Sequence, residues 1–106
     1  WWYKTKCSGN LKRYFQAEQL QAELLLQYDN VKLFSFTDLF DLTCDLDNYK
    51  DDTHYSEQIS ADIMNWIHDG TRQMTEANYK SRIENMTDYY LHYNYSKSGI
   101  PLAQEN

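Results

Sequence analysis

Three glycines and one proline are the only strong helix breakers in this 106-residue chain. Gly9, Gly70, Gly99 and Pro101 fall at the ends of segments, where a mainly helical chain places such punctuation. The stretches between them contain no linker, no low-complexity tract and no internal repeat. A chain of this length suits one small domain with a modest core, burying roughly two thirds of its unfolded surface.

Five segments follow from apolar spacing. Asn10 to Tyr28 reads as a helix with Asn10 as N-cap. Leu11, Phe15, Ala22, Leu25 and Leu26 share one side, while Ala17, Leu20, Leu24 and Tyr28 take another, so the helix is expected to touch two neighbours. Val31 to Phe36 reads as a strand that is apolar on both faces, as in a parallel sheet covered by helices. A helix leading into such a strand is half of a βαβ crossover. The strand before that helix is then expected upstream of Trp1.

Ser56 to Asp69 is a helix with Ser56 as N-cap, Glu57 in its first turn and Gly70 at its stop. Ile59, Ile63, Trp66 and Ile67 form its apolar stripe, expected to be core. His68 falls on the opposite, solvated face. Glu76 to Tyr95 is another helix, with Thr75 as cap. Its Tyr79, Ile83, Met86, Tyr90 and Tyr93 recur at spacings of 4, 3, 4 and 3, a pattern for docking along a second helix. Lys97 to Asn106 reads as a tail. Asn85-Met86-Thr87 and Asn94-Tyr95-Ser96 match glycosylation sequons; the first would place Met86 on the packing stripe, and both are read as chance.

The loop from Thr37 to Tyr55 carries Asp38, Asp41, Asp45, Asp47, Asp51 and Asp52. A calcium loop starting at Asp45 would need an oxygen ligand at its fifth place and glycine at its sixth. Tyr49 and Lys50 stand there instead. Asp38, Asp41, Asp45 and Asp47 are therefore read as turn and cap residues. No metal or cofactor is expected.

Asp51-Asp52-Thr53-His54 is the stretch that carries chemistry. A neutral imidazole can take a proton from a serine hydroxyl, and a carboxylate on its other nitrogen fixes the tautomer and stabilises the imidazolium. A turn between Asp51 and His54 can set both side chains on one side of the backbone. The alternative is a hydrogen-bonded helix-entry pair with no chemical role.

In its wider setting, Tyr49-Lys50-Asp51-Asp52-Thr53-His54-Tyr55-Ser56 followed by an Ile-rich helix resembles the last block of the SGNH (GDSL-type) serine hydrolases, in a bacterial subgroup. The similarity runs from about Val31 to Gly70. It implies catalytic roles for Asp51, as the orienting acid, and His54, as the general base. Asp52 is the second candidate for the acid, but the family spacing selects Asp51. That family's serine lies in a Gly-Asp-Ser-like block far upstream, and this chain has no such block. Cys7-Ser8-Gly9-Asn10 spells family letters that belong to four separate blocks.

The resemblance thus implies an α/β chain: a partial SGNH (flavodoxin-like) fragment, mostly helical, in the order α-β-α-α with one clear strand. Residues 1–70 would be the C-terminal part of the hydrolase domain, and 71–106 a helical extension and tail. The implied parent is a bacterial esterase or acyltransferase, extracytoplasmic in one reading, acting on a small ester. This chain would hold the Asp-His half of its triad and be inactive alone. Its partner would be the missing N-terminal part of the domain or a second copy. The alternative is a non-enzymatic helical protein-interaction module.

Composition agrees with a piece of something larger. The chain opens Trp1-Trp2-Tyr3, with neither Met nor a charged leader. Net charge is -6 and the pI about 4.8, which argues against nucleic acid and against an anionic membrane surface. No apolar run reaches the ~20 residues of a membrane helix. Cys7 and Cys44 are expected as free thiols, with a single bridge between them as the alternative.

Overall fold

The computed structural model describes residues 1–95; the expected tail from Lys97 to Asn106 lies outside the described residues. Five α-helices and a two-stranded ribbon follow one another: α1 (Trp2–Cys7), α2 (Leu11–Leu25), β1 (Leu33–Phe34), α3 (Phe40–Thr43), α4 (Glu57–Asp69), β2 (Gln73–Met74) and α5 (Tyr79–His92). A 3-10 turn over Leu46–Asn48 lies between α3 and α4. The chain is mostly helical with a small β component.

The strand is shorter than expected and differently paired. Of Val31 to Phe36 only Leu33 and Phe34 form β1, which pairs antiparallel with β2: Leu33 faces Met74 and Phe34 faces Gln73. Antiparallel pairing leaves no crossover between β1 and β2. The Gln73-Met74 partner is too short to show period-2 alternation, so spacing alone could not reveal it.

The core lies where α2 crosses α5. Leu11, Phe15 and Ala22 of α2 pack with Ile83, Met86 and Tyr90 of α5 and with Met74 of β2. The heptad-like stripe of α5 therefore docks on a helix of its own chain. This core draws on residues from both sides of Gly70. Trp2 stacks on Tyr90 with ring centroids 4.2 Å apart and planes at 15°. Tyr90 is fully buried, and its hydroxyl donates to the Thr37 carbonyl while pairing with the buried Thr43 hydroxyl. A buried phenol without such partners would cost about 1–3 kcal/mol.

The caps divide into those the chain uses and those it does not. Ser56 Oγ accepts from the Ile59 amide, and Gly70 ends α4 at φ 75°, with the Thr71 amide reaching the Trp66 carbonyl at 2.8 Å. Asn10 precedes α2 without capping it by its side chain. α5 begins at Tyr79, not at Glu76. Asn78, not Thr75, precedes it, and neither caps it by its side chain; Asn78 Oδ1 instead accepts from the Thr75 amide at 2.8 Å.

The stripe of α4 is not core. None of its residues is buried; Ile59, Ile63 and Trp66 are half-buried and Ile67 is exposed. Met64 on the same helix is 66% exposed. On α2, Leu20 and Leu24 are exposed, as is Tyr28 just beyond its end. An apolar stripe identifies the face a helix offers, but not whether the same chain covers it. Cys7 and Cys44 are free.

Candidate functional site

The loop before α4 is tied shut by its own backbone. Tyr49 and Tyr55 form an isolated antiparallel bridge. Inside it the Lys50 amide donates to the His54 carbonyl at 2.9 Å, and below it the Ser56 amide donates to the Asn48 carbonyl at 2.8 Å. The two tyrosine rings lie against each other at 5.0 Å. Five residues, 50 to 54, thus loop between the paired positions, which brings the side chains at 51 and 54 together.

Asp51 organises that loop. Its Oδ1 accepts from the Thr53 amide at 2.9 Å and the His54 amide at 2.8 Å, an Asx-type turn. The same carboxylate meets His54 Nδ1 at 2.9 Å from each oxygen. The Thr53 hydroxyl lies 3.1 Å from that nitrogen. The Thr53 amide, then the imidazole, hold the Asp51 carboxyl down at about 2. An ionised carboxylate can only accept, so Nδ1 is the donor, and in a neutral ring that leaves the lone pair on Nε2. The His54 side chain is 68% exposed, so its ring is open to solvent. Asp52 takes no part: it meets Lys4 at 3.5 Å.

On the Asp51 side of this pair opens a cavity of about 610 Å3, of whose lining His54 is not part. Trp1, Trp2, Tyr14, Tyr49, Tyr55 and Tyr95 give it an aromatic wall, while Asp51, Asp52 and Thr53 stand among its lining. Burial pushes the Tyr14, Tyr49, Tyr55 and Tyr95 phenols up, so they stay neutral. Burial also raises the Cys44 thiol, which makes this lining residue a poor nucleophile. Ser56 is committed to capping α4, and Ser8 is exposed on the loop after α1, donating to the Thr5 carbonyl.

Two arginines escaped the spacing argument. Asp38 accepts a two-pronged contact from Arg82, at 2.9 Å from Nε and 3.0 Å from Nη2, and it also pairs with Arg72. Burial alone would raise the Asp38 carboxyl, but the hydrogen bonds from Arg82 and Arg72 outweigh it and hold the group down. Arg82 further donates to the carbonyls of Ser35, Arg72 and Gln73. Asp38 does sit in a turn, which the Leu39 amide closes on the Phe36 carbonyl, but its carboxylate anchors an ionic clamp joining β1, β2 and α5 instead of satisfying nearby amides. Arg72 adopts a left-handed φ of 65° to reach it. By contrast Asp45 does behave as a turn residue, accepting from the Asp47 amide.

No protein family, curated protein or solved structure matches this chain. No helix among the described residues is long and apolar enough to cross a membrane.

Proposed function

We propose that this chain is the base-and-acid half of a serine ester hydrolase of SGNH type, the C-terminal part of a flavodoxin-like domain whose serine and oxyanion donors lie elsewhere. The observation that carries this reading is Asp51 on His54 Nδ1 at 2.9 Å, with the ring exposed. In the reaction Nε2 takes the serine proton as the hydroxyl attacks the ester carbonyl, then returns it to the leaving alcohol. Asp51 orients the ring and stabilises the imidazolium. A base without its serine has nothing to activate, so the isolated chain is silent toward p-nitrophenyl acetate and unlabelled by a fluorophosphonate. In a protein that joins this chain to a serine block, His54→Ala lowers kcat on the order of 10³-fold or more, with Asp51→Asn close behind. Labelling of Ser8, Ser35 or Ser56 in the isolated chain, with turnover lost in His54→Ala, contradicts the reading.

A second reading is favoured by the uncovered apolar faces of α4 and α2. There the chain is a helical interaction module, and Asp51 and His54 only shape the entry to α4. The same faces serve the first reading as the seat of the missing part of the domain or of a second copy. Substitution separates the two. Loss of partner binding in Ile67→Lys but not in His54→Ala supports the module. Loss of hydrolysis in His54→Ala with assembly intact supports the hydrolase.

A further inference from the structure

The cavity on the Asp51 side of the loop has the size of a small-molecule site, about 610 Å3 within a usual span of roughly 300–1,000 Å3. Its wall is built from rings more than from aliphatic chains: Leu46 stands among Trp1, Trp2, Tyr14, Tyr49 and Tyr55. Aromatic faces are electron-rich and attract a cation within about 6 Å of the ring centroid. The chain does this itself at the same wall, where Lys6 Nζ sits 5.6 Å over the ring of Tyr95. Trp1 is exposed and meets Trp2 and Tyr14 edge-to-face, so no stack on either covers its ring. Two tyrosine hydroxyls are turned to the backbone: Tyr49 donates to the Thr43 carbonyl at 2.7 Å and Tyr95 to the Tyr90 carbonyl at 2.6 Å. The wall therefore offers ring surface more than hydrogen bonds.

Charge in the lining has the same bias. Lys4 is paired with Asp52 at 3.5 Å, and the Trp1 ammonium is drawn to Asp52 as well. Asp51 bonds two amides, a hydroxyl and a ring nitrogen, so its acceptor positions are taken while its negative charge remains. An ammonium with N–H groups would find them short of acceptors here, and an unpaired donor out of water is costly. A quaternary ammonium has no N–H to satisfy, and its methyl groups can pack on the rings. An anion would face both the carboxylates and the ring faces. We propose that this cavity binds a small organic cation with a quaternary ammonium head, held against the aromatic wall with Asp51 as its counter-charge. The site needs no base: His54 is not part of its lining, and it stands apart from the reading of Asp51 and His54 as half of a triad.

Titration of the intact chain with choline at constant ionic strength, followed by amide and indole proton–nitrogen correlation spectra, tests this. The controls are 3,3-dimethylbutan-1-ol, which puts carbon where choline has its charged nitrogen, and ethanolamine, which keeps the charge and lacks the methyl groups. The expected result is saturable shifts at the Trp1 and Trp2 indoles and at the Tyr49 and Tyr55 amides. Choline is expected to bind about tenfold tighter than either control, the worth of a desolvated cation on a ring face. Asp51→Asn is expected to weaken choline about threefold, as loss of a partly screened charge does, and to leave the neutral alcohol unchanged. If that variant loses both probes its loop has rearranged, and the ratio of choline to its neutral isostere on the unaltered chain decides. Absence of saturable shifts, shifts that fall outside the cavity, or equal binding of the alcohol or of ethanolamine overturns the assignment. Choline binding that Asp51→Asn leaves untouched overturns the role given to Asp51. The protonation pattern of the His54 ring reports separately on the hydrolase reading, and neither result decides the other.

Discussion

At the scale of single residues, Asp51 does the most with the fewest atoms. Its two oxygens collect two backbone amides, the Thr53 hydroxyl and the His54 ring. Its folded pKa of about 2 lies below the ordinary carboxylate value of about 3.9. The sign follows: whatever Asp51 adds to loop stability is fully present above the ordinary carboxylate range and disappears as pH falls toward 2. A carbon-detected titration of the side-chain carboxyl is expected to show its midpoint near 2; a midpoint near 4 means the loop contacts do not form. Asp38 offers a second test. It is 9% exposed at the side chain and its partner Arg82 13%, so Arg82→Ala leaves a buried carboxylate short of its main partner. The expected loss is about 3 kcal/mol by urea denaturation, a large share of a small domain's stability. A loss below half a kilocalorie would show that solvent reaches the clamp.

At the scale of elements, the α2–α5 pair holds the molecule together. Met86 and Tyr90 are fully buried in that crossing. Met86→Ala is expected to cost about 2–5 kcal/mol, and Tyr90→Phe about 1–3 kcal/mol by orphaning the Thr43 hydroxyl and Thr37 carbonyl. Thermal melts followed by near-ultraviolet dichroism, which reports the stacked Trp2, read both. These helices were legible in the sequence because Leu11, Phe15 and Ala22, and Ile83, Met86 and Tyr90, repeat with the helical period. Ser56 and Gly70 were legible too, since cap chemistry is local. The β ribbon was not: a two-residue strand has no period, and Leu33 pairs with Met74, forty-one positions later. The Asp38–Arg82 clamp spans a similar distance, so nothing in the local pattern around Asp38 separates it from a turn aspartate. The Asp51–His54 contact was legible because all of its supports, from the Tyr49–Tyr55 bridge inward, lie within seven residues.

At the scale of the whole molecule, covered and uncovered apolar surface are unevenly placed. α5 spends its stripe on α2, whereas α4 buries none of its residues and presents Met64 and Ile67. Exposed apolar faces of this kind mark contact surfaces. Light scattering is expected to show mass rising with concentration, and Ile67→Lys to suppress the rise. A monomer at every concentration means that the α4 face is tolerated in water. The proposed chemistry turns on one ring. With the imidazole neutral, nitrogen-15 spectra of the His54 side chain are predicted to show the proton on Nδ1 and a bare Nε2, with the balance shifting toward the Nε2–H form in Asp51→Asn. A wild-type ring protonated on Nε2, or one that Asp51→Asn leaves unchanged, contradicts the claim that Asp51 holds His54 ready to act as a base.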